Sequence, residues 1–92
     1  MRIIESDEYK IRLREVANYI KKDKKSAAIR FAKQLRKNIR ILNDHPFKYR
    51  KSIYFNDENI RDMIFKGYTI TYEVNSQKET IEILDIFNQN KR

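Results

Sequence analysis

Apolar and polar positions alternate with a period of two from Tyr68 to Val74. Tyr68, Ile70, Tyr72 and Val74 fall on one side, and Thr69, Thr71 and Glu73 on the other. This is the pattern of a half-buried strand. Just before it, Ile60, Asp62 and Ile64 alternate with Arg61, Met63 and Phe65, and between the two runs stands the only glycine of the chain, Gly67, beside Lys66. A tight connection between strands asks for positive φ, which glycine adopts without steric cost, so Ile60 to Val74 predicts a β-hairpin turning at Lys66 and Gly67.

In the N-terminal half the period changes. Residues 2 to 5, RIIE, fit a short strand, and Ser6 then offers an N-cap ahead of Asp7 and Glu8, whose charges suit a helix's first turn. Tyr9, Leu13, Val16, Ala17 and Ile20 recur at three- and four-residue steps and trace an apolar stripe to about Lys22. The run Lys21 to Lys25, KKDKK, predicts the connection, with Asp23 or Ser26 as the next cap. A second stripe, Ala28, Phe31, Ala32, Leu35, Ile39 and Leu42, ends near Asn43, because Pro46 forbids continuation. This second helix is expected to be the longest element. The short connection makes the two helices an antiparallel hairpin.

Past Pro46, the segment FKYRKSIYFNDEN is an aromatic and basic connection in which Ile53 to Phe55 form a short extended piece. Asn75 to Lys78 turn the chain into a last strand, Thr80 to Phe87, where Ile81 and Ile83 alternate properly but Leu84, Ile86 and Phe87 break the register. The break predicts a bulge or a strand buried on both faces. The expected architecture is a single α+β domain over residues 1–92 in the order β-α-α-β-β-β, with the helical hairpin packed on one face of a small, mainly antiparallel sheet. Phe31 and Leu35 should lie between the second helix and that sheet.

Composition narrows the chemistry. The 92 residues contain 21 Lys and Arg against 13 Asp and Glu, a formal charge of +8, which points to an acidic partner surface. The absence of cysteine and the single histidine, His45, argue against a disulfide framework and a zinc site, and no cofactor is expected. No segment approaches the ~20 apolar residues of a membrane span, and the charged N-terminus has no signal-length apolar run. A cytoplasmic protein without membrane partners is the expectation.

The cations gather in places. Arg30, Lys33, Arg36, Lys37 and Arg40 recur at helical spacings away from Phe31 and Leu35, with no acidic residue between Asp23 and Asp44. Such a row is either a solvated face or a basic docking surface. Arg61 is either paired with Glu73 or Asp62 or free to contact a phosphate or carboxylate. Phe47, Tyr49, Tyr54 and Phe55, interleaved with Lys48, Arg50 and Lys51, read as satellite core or as stacking groups. His45 belongs to the helix end, and the serines sit in cap and turn contexts with no partnered base, so no hydrolytic triad is indicated.

The order of elements, the strand start and helix at IIESDEYK, the basic second helix IRFAKQLRKNIRIL, the DHP that ends it, the pair IRDMIF and GYTITYEV and the closing TIEILDIF resemble the RelE/ParE superfamily of toxins from bacterial type II toxin-antitoxin systems. The resemblance implies a growth-inhibiting toxin associated with plasmid stabilisation and neutralised by a cognate antitoxin, as a homodimer or a toxin-antitoxin hetero-oligomer. It also implies one of two targets: DNA gyrase, poisoned by binding alone, or ribosome-bound mRNA, cleaved with the help of basic side chains. The cleaving members carry an arginine directly after the Gly-Tyr of the third strand and basic or histidine residues past the last strand. This chain has Thr69 at the first place and Asn88, Gln89 and Asn90 at the second. The resemblance therefore favours a toxin that binds, with no catalytic residue assigned, through Lys33, Arg36, Lys37, Arg40, Arg61, Lys66, Lys91 and Arg92. The alternative is an mRNA endoribonuclease using Arg61, Lys91 and Arg92.

Overall fold

The computed structural model describes residues 1–88. The elements run β1 (Arg2–Glu5), α1 (Asp7–Asp23), α2 (Lys25–Ile41), β2 (Ile60–Phe65), β3 (Tyr68–Asn75) and β4 (Thr80–Asn88). The four strands form one mixed sheet in the order β1-β4-β3-β2, antiparallel except for the pair β1 and β4. Two chain reversals through short turns give the antiparallel half. The connection through both helices carries the chain from β1 at one edge to β2 at the other, and β1 pairs in parallel with β4.

Ser6 caps α1 as its position predicts: its backbone is extended, and its Oγ accepts the Tyr9 N–H at 3.1 Å. The same hydroxyl donates to the Leu84 carbonyl at 2.8 Å, so the cap also fastens the helix start to β4. The connection between the helices differs from the expected one. Residues 21–23 stay helical and Lys24 alone makes the turn, with φ −158° and ψ 119°, serving as C-cap of α1 and N-cap of α2 without any side-chain cap bond. Neither Asp23 nor Ser26 is a cap. KKDKK contains no glycine or proline to stop a helix, and lysine is a good helix former, so one extended residue suffices to reverse the chain. In consequence α1 and α2 each have 17 residues, and α2 is not the longer.

Both helices lie on one face of the sheet. Tyr9, Phe31, Leu35, Ile39 and Leu42 meet Met63, Phe65, Ile70, Tyr72, Val74, Ile81, Ile83 and Ile86 in a continuous core, edged by Ile3, Leu13, Val16 and Ile20. Leu35 is 1% exposed and Phe31 6%, as their phase on the helix requires. The Phe31 ring stands 5.2 Å from Phe65 and 5.5 Å from Tyr68, in tilted and edge-on geometries that aromatic quadrupoles favour.

The hairpin turn has positive φ at both central residues, 49° at Lys66 and 84° at Gly67, the pattern of a type I′ turn that matches the twist of the flanking strands. The register break in β4 is a bulge: Thr71 pairs with Asp85 and Tyr72 with Ile83, leaving Leu84 as the extra residue.

The second face of the sheet departs from the half-buried pattern. Thr69 and Thr71, on the polar side of β3, are 0% and 2% exposed. The connection 46–59 runs along the β2 edge, and Ile53 and Tyr54 reach from it over this face. Lys51 bridges to Arg61, the Ser52 N–H donates to the Ile60 carbonyl at 2.7 Å, and the Asp62 N–H donates to the Arg50 carbonyl at 3.1 Å. The extended pairing thus sits at Lys51, while Ile53 to Phe55 are bends and not a strand. Tyr54 closes the cover with an edge-on contact to Phe87 at 5.2 Å.

Candidate functional site

Arg61 projects from β2 on the helix-bearing face, opposite Tyr72. Its guanidinium is occupied within the chain. Nε donates to the Glu58 carbonyl at 2.9 Å and Nη1 to the Tyr49 carbonyl at 3.1 Å, Nη2 lies 3.7 Å from the Glu58 carboxylate, and the group stacks 4.9 Å from the Phe47 ring. The partners are neither Glu73 nor Asp62. Asp62 points to the opposite face, and Glu73 stands opposite Ile60 on that face as well. The phenol of Tyr72 donates to the Pro46 carbonyl at 2.8 Å, so two adjacent cross-strand side chains hold both ends of the segment Pro46 to Tyr49. Burial pushes the Tyr72 phenol up to about 12, against the opposing pull of a Tyr49 backbone hydrogen bond and the nearby Arg61. Burial likewise raises Tyr9, reinforced by Glu5 and opposed by Arg36.

On the far face, the Asp62 carboxylate is fully buried. It accepts the Thr71 hydroxyl at 3.1 Å and the Ile53 N–H at 3.2 Å, with Arg50 at 3.9 Å. Ser52, also buried, accepts the Tyr54 N–H at 3.1 Å. These groups fasten the connection to the sheet. The Thr69 hydroxyl lies buried on the same face without a hydrogen-bond partner among the described residues. Nothing in the sequence pattern singles out Asp62, because it occupies one place of an ordinary alternation.

The cations of α2 behave differently. Arg30, Lys33, Arg36, Lys37 and Arg40 are all exposed, and among the described residues none forms an ion pair with a carboxylate. Lys66 is exposed at the tip of the hairpin, its ammonium 5.7 Å from the ring of Phe65, which itself packs on Phe31 of α2. Lys66 therefore sits beside the helix that carries the basic row. Lys91 and Arg92 lie outside the described residues, as do Gln89 and Asn90.

Of the aromatic connection, Tyr49 packs on the core, Phe47 lies under Arg61 and Tyr54 against Phe87, while Phe55 remains 43% exposed. His45 is exposed past the end of α2, where its backbone N–H donates to the Ile41 carbonyl at 3.2 Å. A cleft of about 350 Å³ opens between α1 and the end of the β3-β4 ladder, lined by Arg12, Glu15, Val16, Tyr19, Tyr68 and Ile86 among others. Its apolar floor with flanking charges suits an amphipathic side chain or peptide. Among the described residues no three of His, Asp and Glu gather where a metal ion could be held. No helix there is long and apolar enough to cross a membrane.

The order of elements, the helical pair on one face and the basic second helix are those expected of a toxin of this superfamily, and comparison along the chain decides the matter. The family model described as the ParE toxin of the type II toxin-antitoxin system parDE matches residues 3–92. The chain belongs to that family. A search of curated proteins returned no match. As a ParE-family toxin, the protein has a cognate antitoxin as its partner. Within this toxin Thr69 is buried on the second face of the sheet, and Arg61 holds the 46–59 connection from the helix-bearing face.

Proposed function

We propose that this toxin is a ParE-like growth inhibitor that acts by binding an essential target such as DNA gyrase, without cleaving RNA, until a cognate antitoxin neutralises it. The observation that carries this reading is the burial of Thr69. At 0% exposure, the position where cleaving relatives place an arginine has no access to a substrate phosphate. Phosphoryl chemistry on RNA needs cations at the developing charge and a proton donor or acceptor within hydrogen-bond reach. Here Arg61 is engaged within the chain, through Nε and Nη1 on the Glu58 and Tyr49 carbonyls and through its ion pair with Glu58.

The docking residues in this reading are Lys33, Arg36, Lys37, Arg40 and Lys66, with Lys91 and Arg92 from the tail. Arg61 acts from behind by fixing the loop. Cytoplasmic action, a role in plasmid stabilisation and assembly into a toxin-antitoxin hetero-oligomer or a homodimer belong to the same proposal. The test is to express the toxin alone from a tight promoter and follow reporter-plasmid supercoiling and mRNA 5′ ends in parallel. Altered supercoiling with unchanged 5′ ends is the expected result. Ribosome-dependent cuts that vanish with Arg61→Ala would replace it with the endoribonuclease.

A further inference from the structure

At about 100° per residue, Arg36, Arg40, Lys33, Lys37 and Arg30 fall in that order around roughly a third of the circumference of α2, opposite Phe31, Leu35 and Ile39. Ser26 and Ile29 are the other residues in this sector. Four of the cations, Arg30, Lys33, Lys37 and Arg40, follow one another along the helix over about 15 Å at a rise of 1.5 Å per residue. None is neutralised by a carboxylate among the described residues. The helix is held rigidly from below, since Phe31, Leu35 and Ile39 are buried in the main core.

We propose that this face of α2 binds the phosphate backbone of duplex DNA, without reading bases. The inference rests on the reading of α2 as a docking surface and goes beyond the protein target proposed above by giving this face a nucleic-acid partner. Over 15 Å a duplex presents about nine phosphate charges, enough to engage every cation of the row, and release of condensed counterions supplies the affinity. A protein partner fits less well. Protein interfaces set their arginines among buried apolar and aromatic anchors, and beside Arg30, Arg36 and Arg40 this sector offers only one apolar residue, Ile29, near one end. Single-stranded nucleic acid fits less well too, because it is held by aromatic platforms on which bases stack, and the sector contains no aromatic residue. A straight rigid ridge of cations with no stacking group is matched by the regular backbone of a double helix.

The test measures binding of the purified full chain to a fluorescent 30-base-pair duplex of mixed sequence across about 50 to 200 mM salt. Lys33→Ala/Lys37→Ala is compared with Lys10→Ala/Lys78→Ala, which removes the same charge from exposed sites off the row. Circular dichroism confirms that both variants fold. The expected result is a loss of about tenfold or more for the first variant, with the slope of log K against log salt reduced by about two, and little change for the second. Equal losses in the two variants would assign binding to net charge and overturn the proposal. So would absence of duplex binding at low salt, or tighter binding of single-stranded RNA or polyglutamate than of the duplex at the same salt. Plasmid topology in cells is read separately. Duplex binding with unchanged supercoiling upholds this inference and removes the gyrase reading, whereas altered supercoiling without duplex binding does the reverse.

Discussion

The Thr71 hydroxyl donates to the carboxylate of Asp62, its direct cross-strand neighbour, at 3.1 Å in a site closed to solvent. A buried carboxylate survives only where hydrogen bonds replace its hydration, and here the replacement comes from β3 on one side and from the Ile53 N–H of the covering loop on the other. Sheet and loop are thus joined through one side chain. Thr71→Val is expected to cost about 1.5–3 kcal/mol, and Asp62→Ala about 1–3 kcal/mol for each donor it strands. In denaturant titrations the double variant should cost less than the sum by at least about 0.5 kcal/mol. Strict additivity would show that the two groups do not act together.

Arg61→Ala should loosen the loop before it affects anything else. It removes two hydrogen bonds to main-chain carbonyls and the stack on Phe47, a loss of about 1–3 kcal/mol. Limited proteolysis should then cut between residues 47 and 58 faster than in the wild type, with the helices still protected. A cost below about 0.5 kcal/mol, as for an ordinary surface arginine, would contradict the clamp.

Leu35→Ala is expected to destabilise the domain by about 2–5 kcal/mol, the range for emptying a leucine site in a packed core. At 1% exposure the residue sits between α2 and the sheet, and a domain of this size has little stability to spare. Urea titration gives the value directly, and the loss should appear as a lower midpoint at unchanged slope.

Alkaline pH should weaken the fold through Tyr72. Its phenol ionises near 10.0 when unfolded and at about 12 when folded, so between these values the unfolded chain binds fewer protons and stability falls as pH rises. The contribution is fully present below pH 10 and is lost towards pH 12. Tyr9, raised in the same direction, adds to the trend. In thermal melts across this range, Tyr72→Phe should start lower, for want of the bond to Pro46, and fall less steeply with pH. A slope unchanged by the substitution would place the titration elsewhere.

The periodicities of 3.6 and 2, one serine cap, one glycine and one proline carry the elements, their order and the core-facing sides of α2 and β3. These are local quantities, set by the backbone preferences and burial needs of neighbouring residues, and a sequence displays them openly. The basic row on α2 was legible for the same reason, since helical geometry alone puts Lys33, Lys37 and Arg40 on one side. The helix connection differs from the expected one because a run of polar helix formers reads equally as a helix end or as a loop, and with no glycine or proline to stop it the helix continues to Asp23.

What the tertiary structure decided is the fate of polar groups whose partners lie far along the chain. Arg61 reaches the Tyr49 carbonyl, Tyr72 reaches the Pro46 carbonyl 26 residues away, and Asp62 and Thr71 are buried only because the 46–59 connection folds over them. A charged or hydroxyl side chain carries no mark of whether water or protein will satisfy it. That choice depends on which segment covers the face, and covering is a property of the packed whole. Hence the sequence alone determined a basic two-helix, four-strand toxin fold, while only the assembled sheet and its loop buried Thr69 and tied Arg61 to the Glu58 and Tyr49 carbonyls.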